Sequence, residues 1–320
     1  MVEPVVEPVV EPVVEPVRED GWASRPLPAA QDLGDGSRVV RAAVYAAVPG
    51  YRPLEVDLHT AGDAPADGRG RPVLLWVHGG GWRGGARDDL PTVLREVDVH
   101  RAVAEHGYLV ASIDYRLSAE APFPAQLHDV KAALRWLRHR ADDLGADADR
   151  IAVWGESAGA HLAALAALTP DAEDPYLEGA VGVRGPSSAV SAAVAWYPVT
   201  DFATLVEQDR ASGVELPQDL AQLPESALLG APAAEVPLVA RSASPVHHVS
   251  AGAPPLLVQH GTADRVVPVA QSDELVEALR ELGAPVEYHR VEDYDHCFDG
   301  HPEPARLVEP VLAFLDRHLA

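Results

Sequence analysis

The chain has 320 residues, 47% of them apolar and 23% charged, which is enough for one large core and excludes global disorder. Its 25 basic against 49 acidic residues leave a net charge of −24, which excludes nucleic acid as a partner and sets the chain against an anionic membrane surface. A single cysteine, Cys297, excludes an internal disulfide and a multi-thiolate metal site, and a single lysine, Lys131, argues against Schiff-base chemistry.

Residues 2–17 are four copies of Val-Glu-Pro-Val. A proline at every fourth position forbids helix and pushes the residue before it to extended geometry. Residues 1–20 are therefore expected to be an extended or disordered tail, ahead of a domain over 21–320. The tail lacks the basic segment and apolar run of a secretory signal, so a cytoplasmic protein is expected. The longest helix-compatible apolar stretch, 158–168, is too short to span a bilayer.

From residue 37 the pattern becomes that of an α/β protein. Strands are expected over 37–45 and 54–58, as a hairpin around Pro49 and Gly50. Residues 72–78 and 109–113 are unbroken apolar runs, the mark of strands buried on both faces. The stretch 90–106 between them reads as helix, ended by Gly107. Leu127, Val130, Leu134 and Leu137 recur at helical spacing. A strand over 150–154 and an Ala/Leu helix over 157–168 follow, then strands over 192–196 and 255–260. A helix striped by Val269, Leu275, Val276, Leu279 and Leu282, a strand over 286–291 and a last helix over 307–319 complete the chain. This alternation predicts an α/β fold with a mostly parallel central sheet and helices on both faces. Residues 199–253 interrupt it with five prolines and short helical pieces. An insertion of that length is expected to form a small lid over one end of the sheet.

Gly155-Glu156-Ser157-Ala158-Gly159 lies between an expected strand and an expected helix. There the glycines permit a strained turn that holds the serine hydroxyl clear of the backbone, which makes Ser157 the candidate nucleophile. The helix that starts beside it points its first amides to the same spot, including that of Ala158. His78-Gly79-Gly80-Gly81-Trp82 follows the buried strand at 72–78 and offers amides with no side chain in the way, as an oxyanion needs. Asp264 and His296 each follow a strand, at the carboxyl ends where such sheets place their sites. His296 is the expected base for Ser157, and Asp264 the acid that orients it. His161, four residues after Ser157 on the same helix, is expected to pack, and His260 to support the Asp264 loop. The cluster Asp295, His296, Cys297, Asp299 and His301 has no second group to complete a metal site, so no metal and no cofactor are expected.

Together these motifs resemble the α/β-hydrolase-fold esterases of the hormone-sensitive-lipase-like or BD-FAE-like type, from about residue 37 to the end. Asp114-Tyr115-Arg116-Leu117, Phe123-Pro124-Ala125 and Asp129-Val130-Lys131 resemble the segment that leads into the helix before the elbow strand. The resemblance implies an α/β-hydrolase fold, Gly80, Gly81 and Ala158 as oxyanion donors, and acyl transfer to water. It leaves the acyl group open. The expected activity is hydrolysis of a small-molecule carboxylic ester through an acyl-serine; an amidase or arylformamidase with the same triad is the alternative. Trp82, Trp196 and Tyr197 are expected to crowd the mouth of the site, and with Glu156 to touch substrate. Phe202 is the only aromatic residue of 199–253, too little to build a long acyl groove, so with that crowding a pocket for short-acyl or aryl esters is expected. A homodimer stays open.

Overall fold

The long apolar runs place their side chains alternately on two faces of one sheet. A computed structural model describes residues 23–319 except 64, 66, 67 and 173; the Val-Glu-Pro-Val tail falls outside them. The strands are β1 (Gln31–Asp32), β2 (Ser37–Ala46), β3 (Leu54–Ala61), β4 (Arg71–Val77), β5 (Leu109–Ile113), β6 (Ala146–Glu156), β7 (Ala192–Trp196), β8 (Leu256–Gly261) and β9 (Val286–Val291). Their spatial order is β1-β2-β3-β5-β4-β6-β7-β8-β9. β1, β2 and β3 pair antiparallel, β3 lies antiparallel to β5, and from β5 to β9 every pair is parallel.

On β4, Val73, Leu75 and Val77 enter one core layer, while Leu74 and Trp76 enter the other. β6 repeats the split with Ile151 and Val153 against Ala152 and Trp154. Burying both faces is why these strands read as continuous apolar runs rather than as alternations. The helices are α1 (Thr92–Glu96), α2 (Val99–Glu105), α3 (Ala125–His139), α4 (Ala141–Leu144), α5 (Ala158–Leu168), α6 (Pro175–Glu178), α7 (Leu205–Ala211), α8 (Pro224–Leu229), α9 (Pro237–Ala243), α10 (Val269–Glu281) and α11 (Ala305–Leu319). α3, α5 and α10 cover the first layer, and α1, α2 and α11 cover the second. Every residue of α5 is buried, as a helix apolar all round must be.

The helix expected over 90–106 is two helices. Asp98 adopts φ 45° between them, a left-handed conformation that ends α1 and redirects α2. β6 begins at Ala146, earlier than the apolar run suggests, because Ala146 pairs with Arg71 ahead of a register shift. β1 is two exposed residues and has no apolar signal. Residues 199–253 carry α7, α8 and α9 with 3₁₀ turns at Leu220–Gln222 and Pro245–His248. Lys131 is fully buried on α3, where its ammonium donates to the Thr169 carbonyl and to Glu178 of α6, 2.8 Å away. Among the described residues, no helix is long and apolar enough to cross a membrane.

Candidate active site

Ser157 stands between β6 and α5 with φ 53° and ψ −121°. A non-glycine residue holds such a conformation only where its surroundings over-determine it. Here the glycines supply the constraint. A Cβ on Gly155 would run into the carbonyl of Gly159, and one on Gly159 would run into the carbonyls of Val77 and His78. The turn is therefore pressed against its own helix and against the end of β4, as only glycine allows. The Ser157 N–H donates to the Trp196 carbonyl at 2.9 Å, and the Ser157 carbonyl accepts from His161 N–H at 3.0 Å.

His296 opens a 3₁₀ turn, His296–Phe298, beyond β9. Phe298 pins that turn, since it is fully buried against Trp196 and Tyr197 at centroid distances of 5.3 and 5.1 Å. His296 Nε2 lies 3.0 Å from Ser157 Oγ, and its Nδ1 lies 2.7 Å from Asp264 Oδ2. A carboxylate only accepts, so Nδ1 carries the proton and Nε2 is left to accept from the serine hydroxyl. The other oxygen of Asp264 accepts from the N–H groups of Val266 and Val267, both at 2.8 Å. His260 stands behind, with Nε2 2.9 Å from the Val267 carbonyl and 3.3 Å from Asp264. Burial alone would raise the Asp264 carboxyl, but the bonds from His260 and His296 outweigh it and hold the group well below the usual carboxylate range.

The neighbouring acids do other work. Asp295 accepts from the N–H groups of His296 and Arg265, each at 2.8 Å, and so ties the β8 loop to the β9 loop. Asp293 donates its own N–H to Thr262 at 2.9 Å. Cys297 follows the base and is held as a thiol: burial first, and then the charges of Glu156 and Asp299, push it up to about 12.

The glycine loop follows β4. Gly80 and Gly81 take φ 101° and 60°. Tyr115 supports the loop from below, with its hydroxyl donating to the carbonyls of His78 and Gly79 at 3.1 and 3.2 Å and its ring stacked on His78. Among the described residues, the N–H groups of Gly80, Gly81 and Ala158 donate to no other group of the chain. Pro224 at the start of α8 lies over Gly81, 3.4 Å from where a Cβ would sit. The 199–253 insertion therefore does reach the loop. No cluster of three or more His, Cys, Asp or Glu side chains fit to hold a metal occurs among the described residues.

The structure brings Ser157, Asp264 and His296 into bonding contact. It does not bring the four expected substrate contacts to the surface. Trp196 is fully buried because it points to the Trp76–Trp154 side of the sheet, 5.1 Å from Trp154. Tyr197 is also fully buried and backs the His296 ring at 4.5 Å. Trp82 is 3% exposed and turns inward to donate its indole N–H to His161 at 3.1 Å. Glu156 is 6% exposed and accepts from the Gly79 N–H at 2.5 Å, so it shapes the glycine loop. Burial raises its carboxyl, with His296 and the Gly79 N–H opposing. The supporting roles of three residues escaped the sequence reading: Tyr115 and Asp114, whose only signal was their place in the Asp114–Leu117 motif, and Arg87, which had none. Arg87 braces the chain just beyond the loop, its N–H and guanidinium both on Asp114 and its Nε on Asp57 at 2.8 Å.

The chain is similar to Esterase LipQ of Mycobacterium tuberculosis, with 36% identity over 254 residues, covering 78% of this chain and 56% of the relative. It thus spans about half the length of the curated mycobacterial relatives it matches. Among solved structures it resembles a truncated carbohydrate esterase from gut microbiota, with TM-score 0.72 and 26% identity, covering 92% of this chain and 99% of that one. It also resembles the Est2 esterase of Thermogutta terrifontis, with TM-score 0.64 and 28% identity over 88% of this chain and 91% of that one. The BD-FAE family model matches residues 63–279, a span that runs from ahead of β4 into α10 and includes the glycine loop, Ser157 and Asp264. With that match over a parallel sheet of this order, the chain belongs to the BD-FAE family and has the α/β-hydrolase fold.

Proposed function

We propose that the chain is a serine hydrolase that cleaves small carboxylic esters through an acyl-serine intermediate. The observation that carries the reading is the continuous line from Ser157 Oγ through His296 to Asp264, at 3.0 and 2.7 Å, beside three amides without a partner among the described residues. In this reading His296 takes the proton of Ser157 as its oxygen attacks the ester carbonyl. Asp264 keeps the imidazole in the required tautomer and stabilises it when charged. The amides of Gly80, Gly81 and Ala158 meet the oxyanion of the tetrahedral intermediate. His296 then gives its proton to the departing alcohol. Water, deprotonated by His296, attacks the acyl carbon, and His296 returns that proton to Ser157 Oγ as the C–O bond breaks and the acid leaves.

The names of the relatives, esterases in the mycobacterium and in both solved structures, support an ester over an amide or formamide. A cytoplasmic setting suits a chain whose single cysteine leaves no disulfide to form. We read the acyl pocket as short. Phe202 is the only aromatic residue of 199–253, and it is buried against Trp82 and His161. Without large side chains the insertion has little with which to enclose a long chain, and each methylene left in water forgoes ~0.8 kcal/mol.

Hydrolysis of p-nitrophenyl acetate, butyrate, octanoate and palmitate tests both points. We expect kcat/KM to peak at about two to six carbons, stoichiometric labelling of Ser157 by a fluorophosphonate, and loss of about 10⁴-fold or more in kcat for Ser157→Ala. Near wild-type turnover in that variant would overturn the nucleophile, and a maximum at palmitate would overturn the short pocket. Faster turnover of N-formylkynurenine than of any aryl ester would move the reading to an arylformamidase.

A further inference from the structure

We propose that His161 is a positioning residue of this site, a two-sided clamp that fixes where the glycine-loop amides point. The inference rests on the serine-hydrolase reading above. His161 is fully buried on α5, one helical turn beyond Ser157. Its Nδ1 lies 3.1 Å from the Trp82 indole nitrogen, and its Nε2 lies 2.7 Å from the Ala243 carbonyl at the end of α9. An indole N–H only donates and a carbonyl only accepts. The two contacts therefore define one state of the ring, neutral with the proton on Nε2. Burial keeps it there by pushing the imidazole down to about 4.

One ring thereby joins three pieces of chain that the chemistry needs in register. The first is the helix that carries Ser157, whose carbonyl accepts from the His161 N–H at 3.0 Å. The second is the glycine loop, because Trp82 directly follows Gly81. Trp82 holds φ 56°, a left-handed conformation that a side-chain-bearing residue keeps only under restraint. The third is the 199–253 insertion, which also lies over Gly81 at Pro224 and packs Phe202 edge-on against the His161 ring at 5.2 Å. Packing alone would be served by a leucine or phenylalanine at 161. A polar ring in that position stays buried without penalty only because both of its nitrogens are bonded. One bond runs to Trp82, the residue after Gly81, and the other to Ala243 of the insertion whose Pro224 lies over Gly81, so moving the ring moves the loop that carries the amides left unpaired among the described residues. A misplacement of about 1 Å at reacting groups lowers rates by about 100-fold.

The test uses the full chain and three variants: His161→Phe keeps the ring and loses both bonds, His161→Gln keeps one acceptor and one donor, and Trp82→Phe removes the indole donor. Turnover of a short p-nitrophenyl ester is measured per serine titrated by a fluorophosphonate, alongside the melting temperature. We expect His161→Phe to lower kcat by about 10- to 100-fold with KM within about threefold, and His161→Gln to recover most of the loss. Trp82→Phe should lower kcat by a similar factor, and the double variant Trp82→Phe/His161→Phe should be no worse than the poorer single. A His161→Phe enzyme within about twofold of wild-type kcat per titrated site, whatever its melting temperature, overturns the proposal, as do single effects that multiply. If His161→Phe does not fold, an unchanged kcat in Trp82→Phe is the overturning result. Failure of the underlying reading looks different: a wild-type chain with neither ester turnover nor labelled Ser157.

Discussion

Asp264 and Asp293 are both acidic residues near His296 in the chain or in space, and only their hydrogen bonds separate them. Asp264 spends one oxygen on His296 and the other on two backbone N–H groups, so its carboxylate is fixed and aimed. Asp293 reaches the site only through its backbone N–H on Thr262. Asp264→Asn should lower kcat by on the order of 10³–10⁴, because an amide can present its own N–H to Nδ1 and favour the wrong tautomer. Asp293→Asn should stay within about fivefold of wild type; a reversed ranking in steady-state kinetics would reassign the acid. Asp209 of α7 shows the opposite electrostatics. It is 5% exposed, and its Oδ1 has no hydrogen-bond partner among the described residues. Burial first, and then the charges of Glu225 and Asp264, raise its carboxyl from 3.8 to about 7. Below about pH 4 the group is protonated folded or unfolded, and it costs nothing. Between about pH 4 and 7 the unfolded chain releases the proton and the folded one keeps it, so stability falls across that window and stays lower above it. Asp209→Asn should remove that loss. Its melting temperature relative to wild type should rise with pH through the window, by the equivalent of at most about 4 kcal/mol. A difference that stays flat with pH would show that Asp209 ionises freely in the fold.

At the scale of elements, the elbow was legible because its information is compositional. Gly155, Ser157 and Gly159 are needed wherever a strand turns into a helix this tightly, and the contacts of Gly159 with the Val77 and His78 carbonyls show how tight it is. Gly159→Ala should force β4 and α5 apart at the point where the glycine loop begins. Overpacking of this kind costs typically about 1–3 kcal/mol, or about 2–5 °C in melting temperature for a domain of this size, and kcat should fall with it. An alanine variant with unchanged melting and turnover would mean the elbow has slack. Strands β4, β5 and β7 were legible to within a residue or so, since a run buried on both faces is marked along its length, and β9, half-buried at the sheet edge, was legible from its alternation. The break at Asp98 was not, because a left-handed aspartate leaves no trace in hydrophobic spacing. Nor was the direction of Trp82, Trp196 and Tyr197. A large aromatic beside a catalytic motif reads the same whether it faces substrate or core. Only the alternation of β7 across two covered faces sends Trp196 to the Trp76–Trp154 layer. The sequence position of Glu156 likewise said nothing of its bond to Gly79, formed across 77 residues of chain.

For the molecule as a whole, the strand order explains how residues 139 positions apart come to share a proton. Ser157 follows β6, Asp264 follows β8 and His296 follows β9, and parallel pairing puts all three strand ends on one edge of the sheet. The alternation of elements implied a parallel sheet. The order in which its strands lie side by side depends on which crossovers pack, which a single chain does not spell out. The same packing leaves this protein with an unusual chemical surface. Lys131, its one lysine, lies fully buried under Thr169 and Glu178. The native chain thus presents no side-chain amine to an acylating reagent or an amine-directed cross-linker. Reaction at Lys131 requires α3 to part from α6, so the rate at which an activated ester marks that one position, read by peptide mass, is a direct clock of the fold's opening.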